Sequence, residues 1–243
     1  MDKLLVALDV ESGVRALELA RALRGVAGGF KIGSRLFTLE GPAVVRALTE
    51  KGDRVFLDLK FHDIPNTVAS AVSAATSLGI WMLNVHASGG RPMMKAAMDA
   101  AGESAARSGV QRPLVIAVTV LTSMNGATLS QSGVTGSMHD QVVRLATLAH
   151  GAGLDGVVAS AQETRLIRET CGADFQIVTP GIRGGSAVTS GKDDQERTTT
   201  APEAVAAGAS YIVVGRPIIA ASDPRAAAER LISELTTLRT VEP

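Results

Sequence analysis

RVFLDLKFHDIPNT, residues 54–67, decides how the rest of the chain is read. Up to Lys60 it alternates with period two: Val55, Leu57 and Leu59 on one face, Phe56, Asp58 and Lys60 on the other. That is the pattern of a β-strand. Asp63 follows in the loop, Pro65 and Asn66 end the extended segment, and a helical pattern runs from Thr67 to Leu78. The apolar face belongs against helices. Asp58 and Lys60 therefore face the inside of the sheet, where charges survive burial only when paired.

The same unit recurs on both sides of this stretch. Short apolar runs rich in Val, Ile or Leu occur at Leu4 to Leu8, Gly29 to Gly33, Arg54 to Lys60, Trp81 to Ala87, Leu114 to Leu121, Gly156 to Ser160, Gln176 to Pro180 and Tyr211 to Gly215. Helical patterns separate them. In SGVRALELARALRG, Arg15, Glu18 and Arg21 share one face and Ala16, Leu19, Ala20 and Leu23 another, with Ser12 as N-cap. Comparable patterns run from Gly41 to Lys51, Met93 to Arg107, Asp140 to Gly151 and Pro224 to Leu238. Eight strands alternating with helices predict a single-domain α/β fold, a (β/α)8 TIM barrel over residues 1–243. A doubly wound sheet is the alternative; it normally needs fewer strands, and the first strand is not followed by a GxGxxG turn. One connection is unusually long, from Arg183 to Thr200, and reads as a lid over about residues 183–200.

Composition narrows the class of partner. Of 243 residues 46% are hydrophobic, enough for one large core, and 24 Lys and Arg balance 24 Asp and Glu. No charge excess steers the chain to nucleic acid or an anionic membrane, and 3% aromatics leave few stacking platforms for bases. The longest nearly apolar run, Leu114 to Leu121, is far short of the ~20 residues of a membrane span. MDKLLVALDV has neither the apolar length nor the small-residue cleavage site of a signal peptide. With Cys171 as the one cysteine, these features predict a soluble, cytoplasmic protein.

In such barrels the C-terminal strand ends and the loops after them carry the chemistry. Asp9 ends the first strand, Lys31 lies in FKIG, and Asn84 and His86 share a face of the fourth strand. With Asp58, Lys60 and Asp63 they would place two lysines and up to three carboxylates over one mouth. The bland alternative is a buried ion pair that closes the barrel. Asp58, Asp63 and Asp9 could instead hold Mg²⁺, although Lys60 between them already supplies a countercharge. No Cys and His spacing suggests zinc. His86 is read as a supporting residue rather than a base, and His62 and His139 as solvent-facing. TPGIRGG after the seventh strand and VVGRP on the eighth set glycines and arginines at neighbouring strand ends, a common phosphate site. Arg216 could alternatively form a surface salt bridge. Gln195 is the candidate of the long loop to fold over a ligand, or else an exposed polar side chain.

Together these residues resemble the orotidine 5'-monophosphate decarboxylase family over nearly the whole chain: LDV with Asp9, FKIG with Lys31, VFLDLKFHDIPNTV, NVHASGG, VTVLTSM, GVVASAQE, VTPGIR, Asp194 with Gln195, and IVVGRPI. The DLKFHDIPNT segment is the most specific. The resemblance implies loss of CO₂ from the orotate ring to give uridine 5'-monophosphate in de novo pyrimidine biosynthesis, without metal or organic cofactor. It gives Asp58 the role of crowding the departing carboxylate. Lys60 would stabilise the developing charge and deliver a proton to ring carbon 6. Lys31 and Asp63 would complete an alternating charge array, with Asp63, Ile64 and Thr67 reaching the site of a partner subunit in a homodimer with shared sites. Phosphate would be held by Arg216, Gly215 and Gln195, and the ribose by Asp9 and Lys31. Thr122 or Ser123 would meet the pyrimidine edge, and Pro180 and Arg183 would lie at the base of the lid.

The sequence departs from that family's pattern at two places. The lid, GGSAVTSGKDDQ, is a few residues longer than usual, and Ala201-Pro202 replaces the usual Thr-Pro, a change expected to touch only a helix cap. Two other readings remain open at this point: a sugar-phosphate decarboxylase or aldolase-like synthase that uses Mg²⁺, and a non-catalytic barrel that senses a nucleotide phosphate.

Overall fold

A computed structural model describes residues 2–183 and 199–237. In chain order it runs β1 (Leu4–Ala7), α1 (Gly13–Leu23), β2 (Gly29–Gly33), α2 (Ser34–Glu40), α3 (Pro42–Thr49), β3 (Val55–Phe61), α4 (Pro65–Thr76), β4 (Met82–His86) and α5 (Gly90–Ser108). The second half runs β5 (Leu114–Val118), α6 (Gly126–Gln131), α7 (Met138–Gly151), β6 (Gly156–Val158), α8 (Ala161–Cys171), β7 (Gln176–Thr179), β8 (Ile182–Arg183), β9 (Thr199–Thr200), α9 (Ala201–Ala206), β10 (Tyr211–Val214), α10 (Arg216–Ile219) and α11 (Pro224–Thr237). Eight strands close a parallel barrel in the order β1, β10, β7, β6, β5, β4, β3, β2. β8 and β9 form a separate two-stranded ladder at the base of the long loop.

Alternation sorts the strand residues into two cores. Leu5, Ala7, Phe56, Met82, Ile116, Val178 and Val213 fill the barrel interior. Their neighbours, such as Leu4, Val6, Val55, Leu57, Leu83, Val115 and Ile177, pack outward beneath the helices. The bottom of the interior is closed by Trp81 and Tyr211, edge to face at 5.1 Å, with the Arg54 guanidinium 5.5 Å from the Trp81 ring. Burying a side chain the size of Phe56 is worth about 3–5 kcal/mol against truncation to Ala.

The helices form where the pattern places them, and a side chain caps the start of α1, α6, α7, α8 and α9. The Ser12 hydroxyl accepts from the Arg15 N–H, and Ala16, Leu19, Ala20 and Leu23 are buried while Arg15 pairs with Glu18 outside. Thr200, not residue 201, caps α9: its side chain accepts from the Glu203 N–H and Glu203 reaches back to the Thr200 N–H. The alanine at 201 therefore leaves that cap intact. The short helices α2 and α6 lie in segments without a clear apolar stripe and are additions to the expected pattern. No helix of the described residues is long and apolar enough to cross a membrane.

Candidate functional site

The barrel strands are parallel, so their C-terminal ends meet at one mouth. Register sets Lys31 beside Ala7 of β1 and Phe56 of β3, and Gly33 beside Asp58. Asp58, 9% exposed, is the hub. Its Oδ1 accepts from Lys60 Nζ at 2.7 Å, and its Oδ2 lies 3.4 Å from Lys31 Nζ. Lys31 Nζ in turn donates to Asp9 Oδ1 at 3.1 Å. The result is an alternating line, Asp9, Lys31, Asp58, Lys60, running from half-open Asp9 to buried Asp58 across β1, β2 and β3. A carboxylate buried here needs a cation against it, because a buried charge left with no partner costs about 3–5 kcal/mol.

Two local features make room for this line. At Gly33 a Cβ would sit 3.0 Å from both Asp9 Oδ1 and Lys31 Nζ, so only a hydrogen there leaves the ion pair undisturbed. Lys60 has φ of 53°, the one positive φ at a non-glycine among the described residues. Strict alternation ends here: β3 advances from Leu57 to Phe61 while β4 advances only from Leu83 to Val85. The sequence places Asp58 and Lys60 on one face of a regular strand. In the structure they share the mouth because a bulge turns Lys60 back towards Asp58.

Asn84 bridges that bulge. It is fully buried; its Oδ1 accepts the Lys60 N–H at 2.8 Å and its Nδ2 donates to Asp58 Oδ1 at 2.6 Å. His86, two residues on, is half-buried, and its ring lies 5.3 Å from that of exposed His62. Burial, then His62 and Lys60, push the His86 imidazole below its ordinary value, with Asp58 opposing. The sequence sets Asn84 and His86 on one face and assigns Asn84 no task of its own. The available signal was an amide in the otherwise apolar Met82 to Val85 run.

The other candidates surround this line unevenly. Asp63 does not join it: its Oδ1 accepts the N–H of Ile64 at 2.6 Å, and among the described residues it makes no ion pair. Asp63, Ile64 and Thr67 are all exposed, Ile64 to 67%. Thr122 is half-buried and Ser123 exposed in the turn after β5, and Pro180 is half-buried after β7. The Arg183 backbone pairs with Thr200 in the small ladder, and Gln195 lies outside the described residues. Gly215 caps α10, which begins with exposed Arg216, and a Cβ on Gly215 would touch the Ala7 Cβ at 3.5 Å. That close approach sets the Gly215 and Arg216 corner beside Ala7, the last residue of β1. His139 is exposed, and Cys171 is buried, its thiol pushed up by that burial.

An open groove of about 610 Å³ lies elsewhere, along Ser88, Arg91, Gln141, Arg144 and Leu148 on the outer surface. Chemistry rather than volume singles out the barrel mouth. No group of three His, Cys, Asp or Glu side chains among the described residues could hold a metal ion. Both oxygens of Asp58 already face ammonium or amide donors.

Known proteins match the chain over nearly its whole length. Residues 2–231 match the model of a family described as Orotidine 5'-phosphate decarboxylase / HUMPS family. The chain is 54% identical over 233 residues to an orotidine 5'-phosphate decarboxylase of Syntrophotalea carbinolica, covering 96% of this chain and 94% of that protein. It is 51% identical over 239 residues to one of Moorella thermoacetica, covering 98% and 94%. The crystal structure of orotidine 5'-phosphate decarboxylase from Lactobacillus acidophilus superposes with a TM-score of 0.82 at 37% identity, over 96% of this chain and 98% of that one.

Proposed function

The chain belongs to the orotidine 5'-phosphate decarboxylase / HUMPS family, and from that membership we infer that it converts orotidine 5'-monophosphate to uridine 5'-monophosphate and CO₂, a step of pyrimidine biosynthesis. The observation that carries the mechanism is the alternating line of charge ending in Lys60 Nζ, 2.7 Å from Asp58 Oδ1. Breaking the bond between carbon 6 and the carboxyl group leaves an electron pair on carbon 6, in the plane of the ring, where no π system spreads it. An ammonium fixed beforehand beside that carbon lowers the barrier without having to reorganise. Lys60 takes this role and then gives its proton to carbon 6, completing the product; the neutral amine regains a proton from water. Asp58 stands against the departing carboxylate and is relieved when CO₂ leaves. Lys31 holds Asp58 and Asp9 in place, and Asp9 and Lys31 meet the ribose hydroxyls.

The remainder of the nucleotide supplies binding energy away from the bond that breaks. Gly215 and Arg216 hold the phosphate, with Gln195 reaching it from the lid over residues 183–200, Arg183 and Pro180 at the lid base, and Thr122 or Ser123 at the pyrimidine edge. The whole of 1–243 acts as one barrel domain. Asp63, Ile64 and Thr67 serve the mouth of a second subunit, which makes the working unit a homodimer. Supporting this are the exposure of all three and the failure of Asp63 to reach the line of charge within its own chain. The buried, lone thiol of Cys171 suits a reducing cytoplasm.

The reaction needs no metal or organic cofactor, because the two ammonium groups occupy the positions around Asp58 that a cation would take. An ultraviolet assay following loss of orotidine monophosphate in EDTA tests the reading. Steady turnover supports it. Activity abolished by chelation and restored by Mg²⁺ would move the protein to the Mg²⁺-dependent sugar-phosphate branch, and tight nucleotide binding without turnover would make it a sensor.

A further inference from the structure

The fully buried amide of Asn84 touches both halves of the reacting pair: Nδ2 donates to Asp58 Oδ1 at 2.6 Å and Oδ1 accepts the Lys60 N–H at 2.8 Å. The Lys60 N–H has left the ladder, since the register slips between Leu57↔Leu83 and Phe61↔Val85. A left-handed lysine is strained, and it persists only where surrounding contacts determine it. Asn84 lies in the middle of β4, held by pairing to Ile116 of β5, so its amide is a fixed point rather than a mobile one. A buried polar group of this kind, satisfied on both ends, has a unique orientation.

We propose that Asn84 is a positioning residue for the decarboxylation: one side chain clamps the Asp58 carboxylate and the Lys60 backbone together and so fixes where the Lys60 ammonium stands relative to the substrate. This rests on the functional reading above. Asn84 acts through the two residues it holds. Asn is suited to this task because it offers a donor to a carboxylate and an acceptor to an N–H. Leu or Val of similar bulk offers neither. Asp in its charged form would set a second anion against Asp58.

Asn84→Ala and Asn84→Asp, compared with the parent in the ultraviolet assay and by titration with uridine monophosphate, test the proposal. Turnover by the parent checks the functional reading separately, since its absence would sink that reading whatever the variants do. In Asn84→Ala, kcat falls by about a hundredfold, the scale of a catalytic group displaced by about 1 Å, while nucleotide affinity changes by less than about threefold. A folded Asn84→Ala with kcat within about threefold of the parent, or one whose affinity falls as far as its kcat, overturns the proposal.

Asn84→Asp supplies a second readout should the alanine variant fail to fold. The groups facing the new carboxyl are Asp58 and Lys60 on β3, Lys31 behind Asp58 on β2, and His86 on its own strand. Its protonated form donates to Asp58 as the amide does, and its ionised form repels Asp58. The variant therefore keeps activity at acid pH and gains a loss of kcat as pH rises that the parent lacks. A parental pH profile, or no activity at any pH in a folded Asn84→Asp, overturns the assignment.

Discussion

Lys60 Nζ and Asp58 Oδ1 are 2.7 Å apart, and the lysine reaches that position from a left-handed backbone, φ 53°, at a bulge in β3. The pair is held from three directions: Lys31 from β2, Asn84 from β4, and the chain turn at Lys60 itself. An ion pair so fixed is a preorganised field into which a substrate enters, and the following outcomes are expected of it.

Lys60→Ala removes the group proposed both to stabilise charge at carbon 6 and to donate the proton. Because Asp58 keeps Lys31 and Asn84 as partners, the fold survives. Turnover drops by at least about 10³-fold while uridine monophosphate binds within about threefold of the parent. Near-parental turnover would remove Lys60 from its role.

Subunit sharing can be read by complementation. Asp63→Ala and Lys60→Ala homodimers are each inactive, but in a mixed dimer one mouth receives Lys60 from one chain and Asp63 from the other. Random reassortment of equal amounts restores roughly a quarter of parental activity. Mixtures that stay as inactive as their components would show that Asp63 serves no partner.

Arg216→Ala removes the guanidinium at the start of α10 that is proposed to hold the phosphate by a charge-assisted contact. Affinity for uridine monophosphate weakens by roughly tenfold to a hundredfold, and affinity for unphosphorylated uridine stays the same. Equal effects on both ligands, in calorimetric titrations, would contradict a phosphate role.

His86 contributes to acid sensitivity. Its imidazole is pushed down chiefly by burial, so between its folded value and the ordinary value near 6.5 the unfolded chain binds a proton that the folded chain refuses. Stability from this group is complete above about pH 6.5 and is lost as pH falls below it. His86→Gln should lose less melting temperature than the parent between about pH 7.5 and about pH 5.5. An unchanged loss would assign the sensitivity to other groups.

The sequence was legible wherever periodicity and local chemistry decide the outcome. Alternation over Val55 to Lys60 separates outward Leu57 from inward Phe56, and the stripe of Ala16, Leu19, Ala20 and Leu23 is the buried face of α1. Eight such repeats favour a barrel over a doubly wound sheet, which normally needs fewer strands, and the structure closes it. Asp9, Lys31, Asp58 and Lys60 could be gathered from strand ends alone, since parallel strands all deliver those ends to one mouth.

Tertiary structure decided what depends on register between strands, which no single segment encodes. The slip of β3 against β4 breaks the alternation at Lys60 and creates the place that Asn84 fills. The closeness of β1 to β2 gives Gly33 its value, as the space beside it belongs to Asp9 and Lys31. Asp63 lies beside Lys60 in sequence yet turns away from it in space, because its carboxylate closes on the Ile64 N–H at the start of α4. Local pattern thus determined the elements and the identity of the charged residues. Their mutual distances came only from closing the barrel, where each strand's position is set by its two neighbours rather than by its own residues.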